Sequence, residues 1–449
     1  MFNLKKVIEY LFYLFVFLLP WQTRLIHHQG IINGGNWEYG TFSLYATELL
    51  LGVIFLLIII LALKQIRIAG IKTKIQKLDI LLILFFVFCS LSIIWSINAF
   101  LSWQYLVVLM EALALLYLAS RIGWNFTKLA VAFSASAFMQ ACIAIYQFST
   151  QTVIGNKWLG MASQFVEDGG VSVIEGSGRW LRAYGSLSHP NMLGGFLVVG
   201  LLFLIGLLFD YQRKYYNPPW RINYKLVLSA LCLFSSLVII TYGLLLSFSR
   251  SAWLGLIIAI LFIWIVLFWQ KQKRLLWFFL KINIVILMVV ALFVANYGNL
   301  LFSRFDTSSR LEAQSITERQ VGWQESLDII QSNPLLGVGL GTYTVSLYDL
   351  DSSQSSYYYQ PVHNVDLLVM SELGIIGWLL LTITIIYLLY LIFRKYGREM
   401  NTETLLILAS FIVLLIIGIF DHYLWSLYFG LMFSFLIIGL LVNKINYKI

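Results

Sequence analysis

The stretch LVLSALCLFSSLVIITYGLLLSFSRSAWLGLIIAILFIWIVLFWQ, residues Leu226 to Gln270, decides the fold class. A membrane-crossing helix takes about 20 mostly apolar residues, so this run is too long for one span. Ser247-Phe248-Ser249-Arg250 interrupts it, and an arginine in mid-bilayer is costly. The spacing predicts two spans, 226–247 and 251–270, joined by a tight turn at Ser247 to Arg250. Working outward, similar apolar runs occur at 4–20, 42–63, 78–97, 103–120, 129–149, 191–210, 276–297, 372–393, 404–420 and 425–443. That makes about twelve. The first lacks a small-residue cleavage site and ends in Leu19-Pro20-Trp21, so it reads as a retained helix and not a signal peptide. The fold class is therefore an all-α integral membrane protein, with one polytopic domain over 1–449.

Composition agrees. Of 449 residues, 60% are hydrophobic and 11% charged, with a mean hydropathy of +0.84. Soluble domains carry roughly 25% charged residues, and disordered chains need low hydrophobicity, so both classes are excluded. The three cysteines, Cys89, Cys142 and Cys232, lie in apolar runs. They exclude a disulfide scaffold and a cysteine-based zinc site and read as small core residues.

The positive-inside rule orients the chain. With the N-terminus in the cytoplasm, 22 of the 30 Lys and Arg fall on inner segments and 8 on outer ones. Both termini come out cytoplasmic. The net charge of +9 is thus a topology signal, and no nucleic-acid partner is expected. The outer eight are Arg24, Lys157, Arg179, Arg182, Arg250, Arg304, Arg310 and Arg319. Topology needs only positive charge, whereas Arg adds a planar fork that grips phosphate or carboxylate. This bias points to an anionic ligand outside; the competing reading is that these arginines pair with outer acids such as Glu167, Asp168, Asp306 and Glu318. All five histidines, His27, His28, His189, His363 and His422, fall on the same side. The inner loops contain no phosphate-binding loop.

Three outer segments exceed simple turns: 21–41, 150–190 and 298–371. Long loops that are not linkers usually carry function, so the working site should face outward. In the third segment, Ser315 to Ile330 reads as an amphipathic helix. It opens on a Ser315/Glu318 capping box and carries an apolar stripe of Ile316, Trp323, Leu327 and Ile330. Arg319 projects from that stripe and needs an anionic partner, either Glu312 or Asp328 or a phosphate. Gly337-Val338-Gly339-Leu340-Gly341 follows no strand, so it reads as a close-packed turn and not a dinucleotide fingerprint. Tyr357-Tyr358-Tyr359 suits sugar stacking or an interfacial belt equally. His363 tops the next helix, with Asp366 and Glu372 beyond it. Histidine as a residue type titrates near neutrality, which makes His363 a candidate general base. No metal-ligand spacing is present. In the second segment Arg179 and Arg182 precede Pro190, which a first helical turn tolerates, so Arg182 stands above a helix N-terminus that favours anions.

Four stretches, in this order, resemble the O-antigen ligase and Wzy-type polymerase family. They are Arg182-Ala183-Tyr184-Gly185 through Pro190-Asn191; Ser249-Arg250-Ser251-Ala252-Trp253; Arg319 through Trp323 to Asn333-Pro334-Leu335-Leu336-Gly337-Val338-Gly339; and His363-Asn364 through Glu372-Leu373-Gly374-Ile375-Ile376-Gly377. The likeness is sharp over about 180–255 and 315–380. It implies a GT-C-like helical membrane fold with a long helical extracytoplasmic loop between spans nine and ten. It also implies an inverting, metal-independent glycosyltransferase of the bacterial cytoplasmic membrane that needs no cofactor. The implied donor is a glycan on a polyprenyl diphosphate, and the acceptor a lipid, another glycan or a protein. Carried over, the diphosphate-binding arginines are Arg182, Arg250 and Arg319, and the essential histidine is His363, with Arg319 beside it in catalysis. Asn364, Glu372, Asp421 and His422 would support the cavity.

The acceptor separates a ligase from a polymerase, and the motifs are common to both. A transporter or flippase for the same lipid-linked glycan is the alternative of another class. Transporters place binding charges near the midplane, whereas here Glu9, Glu48 and Glu111 are the few acids clearly within spans.

Overall fold

The computed structural model describes residues 4–69, 76–175, 178–215, 224–306, 310–397 and 399–445. Five of the inner cations used for orientation, Lys72, Lys74, Arg221, Arg398 and Lys448, lie outside these. Ten helices among the described residues are long and apolar enough to cross a membrane. They include both halves of the deciding stretch, Tyr224–Leu246 and Arg250–Trp269. The two remaining expected spans form shorter helices, Leu4–Leu18 with 15 residues and the apolar Tyr428–Lys444 with 17.

Between those two halves the turn is as tight as expected. Phe248 takes a φ of 47°, a conformation bulky residues rarely adopt. Its ring is fully buried and packs against Phe148, Trp253 and Phe293. This packing holds the turn.

By internal contacts the chain divides into two compact units. The first comprises 1–23, 123–314 and 398–417. Its centre is the helix Pro190–Tyr215, whose spanning stretch is buried throughout. It is apolar on every side, which is what a fully enclosed helix requires. The helices Phe126–Thr150, Tyr224–Leu246, Arg250–Trp269 and Lys273–Ser303 surround it. Close approach depends on small residues, because lipid is as apolar as the helix and gives no hydrophobic drive. A Cβ on Gly200 would come within 2.3 Å of the Ala137 Cβ. Two short antiparallel pairings form in the second outer segment, Thr152–Val153 with Gln164–Phe165 and Val173–Glu175 with Arg179–Leu181.

The second unit comprises 24–122, 315–397 and 418–449. Tyr428–Lys444 packs along Ala99–Arg121, and Val365–Tyr396 along Lys77–Leu91. Its outer hairpins pair Arg24–His28 with Phe42–Tyr45 and Ile31–Ile32 with Gly35–Asn36. The long helix Val365–Tyr396 is broken at Gly374, where φ is 64° and ψ −176°. A break frees main-chain groups that must be paired elsewhere. The glycine-rich segment supplies the partners. Val338 and Gly339 amides donate to the carbonyls of Ser371 and Glu372, at 3.0 and 2.8 Å, and the Ile375 amide donates to the Pro334 carbonyl at 2.9 Å. The close-packed turn read from the sequence is therefore the plug of a discontinuous helix. A Cβ on Gly374 would meet the Leu335 carbonyl oxygen at 2.2 Å.

Two expectations need correction here. Cys89 is buried, but Cys142 and Cys232 are exposed. An apolar run does not separate a core-facing from a lipid-facing side, since both surroundings are apolar. The amphipathic helix begins at Arg310 and ends at Ser332, so Ser315 and Glu318 lie inside it and form no N-terminal box.

Candidate functional site

In the first unit the local structure around Arg182 is built from neutral groups. The Val173–Glu175/Arg179–Leu181 hairpin delivers the chain to Arg182, whose amide donates to the Ser172 carbonyl at 3.1 Å. Two buried glutamines of the helix Phe126–Thr150, Gln140 and Gln147, grip the next residues. Gln147 Oε1 accepts from the Tyr184 and Gly185 amides at 3.0 and 2.8 Å. Gln140 Oε1 accepts from the Ser186 amide at 2.8 Å.

The Arg182 side chain is 6% exposed. Its Nε donates to the Ser247 carbonyl in the tight turn at 2.9 Å, and its Nη2 to Asn191 Oδ1 at 2.7 Å. Both acceptors are neutral. Burial, with the charge of Arg304 next, pushes its pKa down to about 9. Asn191 also donates its amide to His189 Nδ1 at 3.1 Å, which leaves the proton on Nε2 for Ser172 Oγ, 3.0 Å away.

Arg250 opens its helix at that same turn. Its Nη1 lies 2.9 Å from Glu312 Oε2 and donates to the Arg304 carbonyl at 2.9 Å. The other Glu312 oxygen pairs with Arg304. Glu312 is 4% exposed, Arg304 12% and Arg250 30%. Three guanidiniums thus gather with one carboxylate. From the sequence, Arg304 is one of the outer arginines with no site of its own assigned, and Glu312 a partner for Arg319.

The second unit holds the histidines at the other candidate positions. His363 precedes the helix Val365–Tyr396, and its ring meets that of His422 edge-on, with centroids 5.1 Å apart. Burial lowers the His363 pKa; Asp421 opposes this, Arg319 adds to it, and Glu318 opposes it. His363 is therefore held in its neutral form. His422 is buried and its pKa is pushed down to about 3 by burial and by His363, with Asp421 opposing. Its Nδ1 lies 2.6 Å from Ser426 Oγ, and its amide donates to Asp421 Oδ1 at 2.9 Å. Tyr39 packs edge-on against the opposite partner in this stack, His422, at 5.9 Å.

The expected supporting residues have structural duties in this unit. Asn364 caps the helix, accepting from the Leu367 amide at 2.9 Å and donating to the Ile419 carbonyl at 3.0 Å. Glu372 is buried beside the helix break and accepts from Trp425 Nε1 at 2.9 Å. Asp366 accepts from Trp378 Nε1 at 2.9 Å. Arg319 does sit on the more buried face of its helix, with Ile316, Gly322, Ser326 and Ile329. Trp323 and Leu327, placed on that face by their apolar character, are 48% and 42% exposed. Asp328 accepts from Gln324, at 3.1 Å. Of the tyrosine run, Tyr359 is buried and Tyr358 bonds Glu325, whereas Tyr357 is 81% exposed.

Other outer arginines bear out the competing reading in part. Arg24 pairs with Glu38, and Arg310 with Glu175 at 2.7 Å. Glu38 and Glu175 are additional to the acids named from the sequence.

Comparison with known proteins now adds to this geometry. Residues 234–382 match the model of a family described as O-antigen ligase. That interval contains Arg250, Arg304, Glu312, Arg319, His363 and Glu372. The chain is also 25% identical over 285 residues to a general O-oligosaccharyltransferase of Acinetobacter baylyi. The match takes in 59% of this chain and 43% of that protein, so the chain spans less than half the length of that relative.

Proposed function

We propose that this chain is a membrane glycosyltransferase of the O-antigen ligase family, a reading supported by the match of residues 234–382 to that family's model. It transfers a glycan from a polyprenyl-diphosphate carrier to an acceptor hydroxyl at the outer face of a bacterial cytoplasmic membrane, as a surface-polysaccharide ligase. The observation that carries the reading is the meeting of buried Arg182 and half-buried Arg250 at one tight membrane turn, where Arg250 and Arg304 share the buried carboxylate of Glu312. Gathering positive charge out of water is expensive, and a diphosphate arriving there relieves that cost.

The chemistry follows from the side chains. The acceptor O–H gives its proton to neutral His363, and its oxygen attacks the anomeric carbon. The bond from that carbon to the diphosphate oxygen breaks, and the electron pair leaves with the diphosphate. Attack from the face opposite the leaving group inverts the anomeric centre. Arg182, Arg250 and Arg319 stabilise the developing charge, a task that a divalent metal performs in other glycosyltransferases. Burial keeps His363 unprotonated at neutral pH, the state a base requires.

The test is transfer in vitro. Purified protein in lipid receives a polyprenyl-diphosphate oligosaccharide in the presence of chelator, and products are resolved by mass. Single transfer to a supplied lipid or protein acceptor is expected, with His363→Ala slower by about 10²–10⁴-fold and still folded. A ladder of repeats would mean a polymerase instead. Absence of turnover from folded protein with every acceptor would favour the lipid-linked oligosaccharide transporter.

A further inference from the structure

Glu312 is almost wholly buried and divides its two oxygens between two guanidiniums, Arg250 and Arg304. Arg250 Nη1 is further tied to the Arg304 carbonyl. Each guanidinium has five N–H donors in a fixed fork, so a bond to the shared carboxylate fixes its plane, and the Nε of Arg304 is buried with no hydrogen bond made. Arg304 is also the charge that Arg182 feels most strongly, ahead of Glu312 and Arg250. The four groups are therefore one electrostatic unit with three positive charges and one negative. The excess is two. A diphosphate esterified at both ends carries about two negative charges at neutral pH, one ionised oxygen per phosphate.

From this arrangement we infer that Arg304 is a further residue binding the donor's diphosphate, and that Glu312 is a positioning residue which holds Arg304 and Arg250 side by side to receive it. The inference rests on the reading that the donor is a diphosphate-linked glycan. Without the carboxylate, Arg250 and Arg304 repel each other and lose their common orientation. Without Arg304, the excess charge halves and one fork is lost.

The experiment uses the full-length protein in lipid with two independent readouts. One is the rise in melting temperature on adding inorganic pyrophosphate. The other is the donor KM and kcat in glycan transfer. Arg304→Gln is expected to raise the donor KM about tenfold or more, the size of one lost charge-assisted contact, with the acceptor KM unchanged. It should also abolish most of the pyrophosphate response. Glu312→Gln should raise the donor KM similarly, and Glu312→Asp should recover part of the loss, which a purely structural role would not produce as a change in KM alone. If Arg304→Gln does not fold, Arg304→Lys decides, because it keeps the charge and the bond to Glu312 but not the fork; a raised donor KM is expected. A donor KM within twofold of wild type in the folded Arg304 variant, with an intact pyrophosphate response, overturns the inference. Transfer by wild type with an unchanged Arg304 variant sinks this inference alone. A pyrophosphate response that depends on Arg304, without transfer by wild type, sinks the proposed function and leaves the inference standing.

Discussion

Arg182→Gln should make the ligand-free protein more stable while removing its capacity for diphosphate. Arg182 is buried, and burial with the nearby Arg304 brings its pKa to about 9 from an ordinary 12.5. At roughly 1.4 kcal/mol per pH unit, holding the charge there costs about 5 kcal/mol. The folded-state value lies below the unfolded one, so the penalty is fully present at neutral pH and eases only as pH climbs past 9. Against it stand two bonds, to Ser247 and Asn191, each worth roughly 1.5–3 kcal/mol when charged. Glutamine can keep one of them. The balance is a gain of about 1–3 kcal/mol, where truncating a buried, twice-bonded side chain ordinarily destabilises. The assay is thermal unfolding in lipid discs at neutral pH, with and without inorganic pyrophosphate. Wild type should melt lower without the anion and rise with it; the variant should melt higher and not respond. A variant that loses more than about 2 kcal/mol and still responds as wild type does would refute the argument, and would make Arg182 a structural residue.

Three other outcomes follow from the same geometry. His422 has a folded-state pKa of about 3 against 6.5, so stability present above 6.5 should drain away as pH falls toward 3, by roughly 4–5 kcal/mol; acid melts of His422→Asn should show a visibly shallower decline, and an identical decline would contradict the assignment. The acid limb of the kcat profile should lie below the ordinary histidine value because His363 is buried beside Arg319, and Arg319→Gln should move that limb to higher pH, which a pH–rate series with the donor saturating would detect or deny. Gly200→Ala should cost about 1–3 kcal/mol because the new Cβ meets Ala137 at 2.3 Å; Ala137→Gly in the same chain should restore most of it, and additive losses in the double variant would show that the two do not touch.

Much of the fold was legible because membrane spans announce themselves by length and polarity. The turn at Ser247 to Arg250 was read from one misplaced charge, and the structure puts it there. The hairpin Ile31–Ile32/Gly35–Asn36 was readable but passed over: Asn33-Gly34 has φ values of 50° and 77°, the positive pair that a two-residue hairpin demands. The helix Arg310–Ser332 misled for a physical reason. Its more buried face is made of Glu312, Ser315, Arg319, Gly322 and Ser326 with few apolar residues, while Trp323 and Leu327 point away. Apolar periodicity therefore pointed to the wrong side, although it caught Arg319 through Ile316. Arg182, Arg250 and His363 were found because each stands in a short motif. Arg304 and Glu312 have no such motif. Their partnership depends on where one helix stops and the next begins, and local spacing does not encode that.

The break at Gly374 has a consequence for biogenesis. Its freed carbonyls and amides are satisfied by residues 334–339, which precede their partners by 33 to 41 positions. At about 5–20 residues per second, the plug leaves the ribosome several seconds before the helix that requires it. Unpaired main-chain groups are not tolerated in hydrocarbon, so the order of synthesis matters: the segment that completes the helix is already available when the helix arrives. A circular permutation that moved 334–339 behind residue 396 would reverse that order. The newly inserted helix would then wait in the membrane with open carbonyls, exposed to quality-control proteases until its complement emerged.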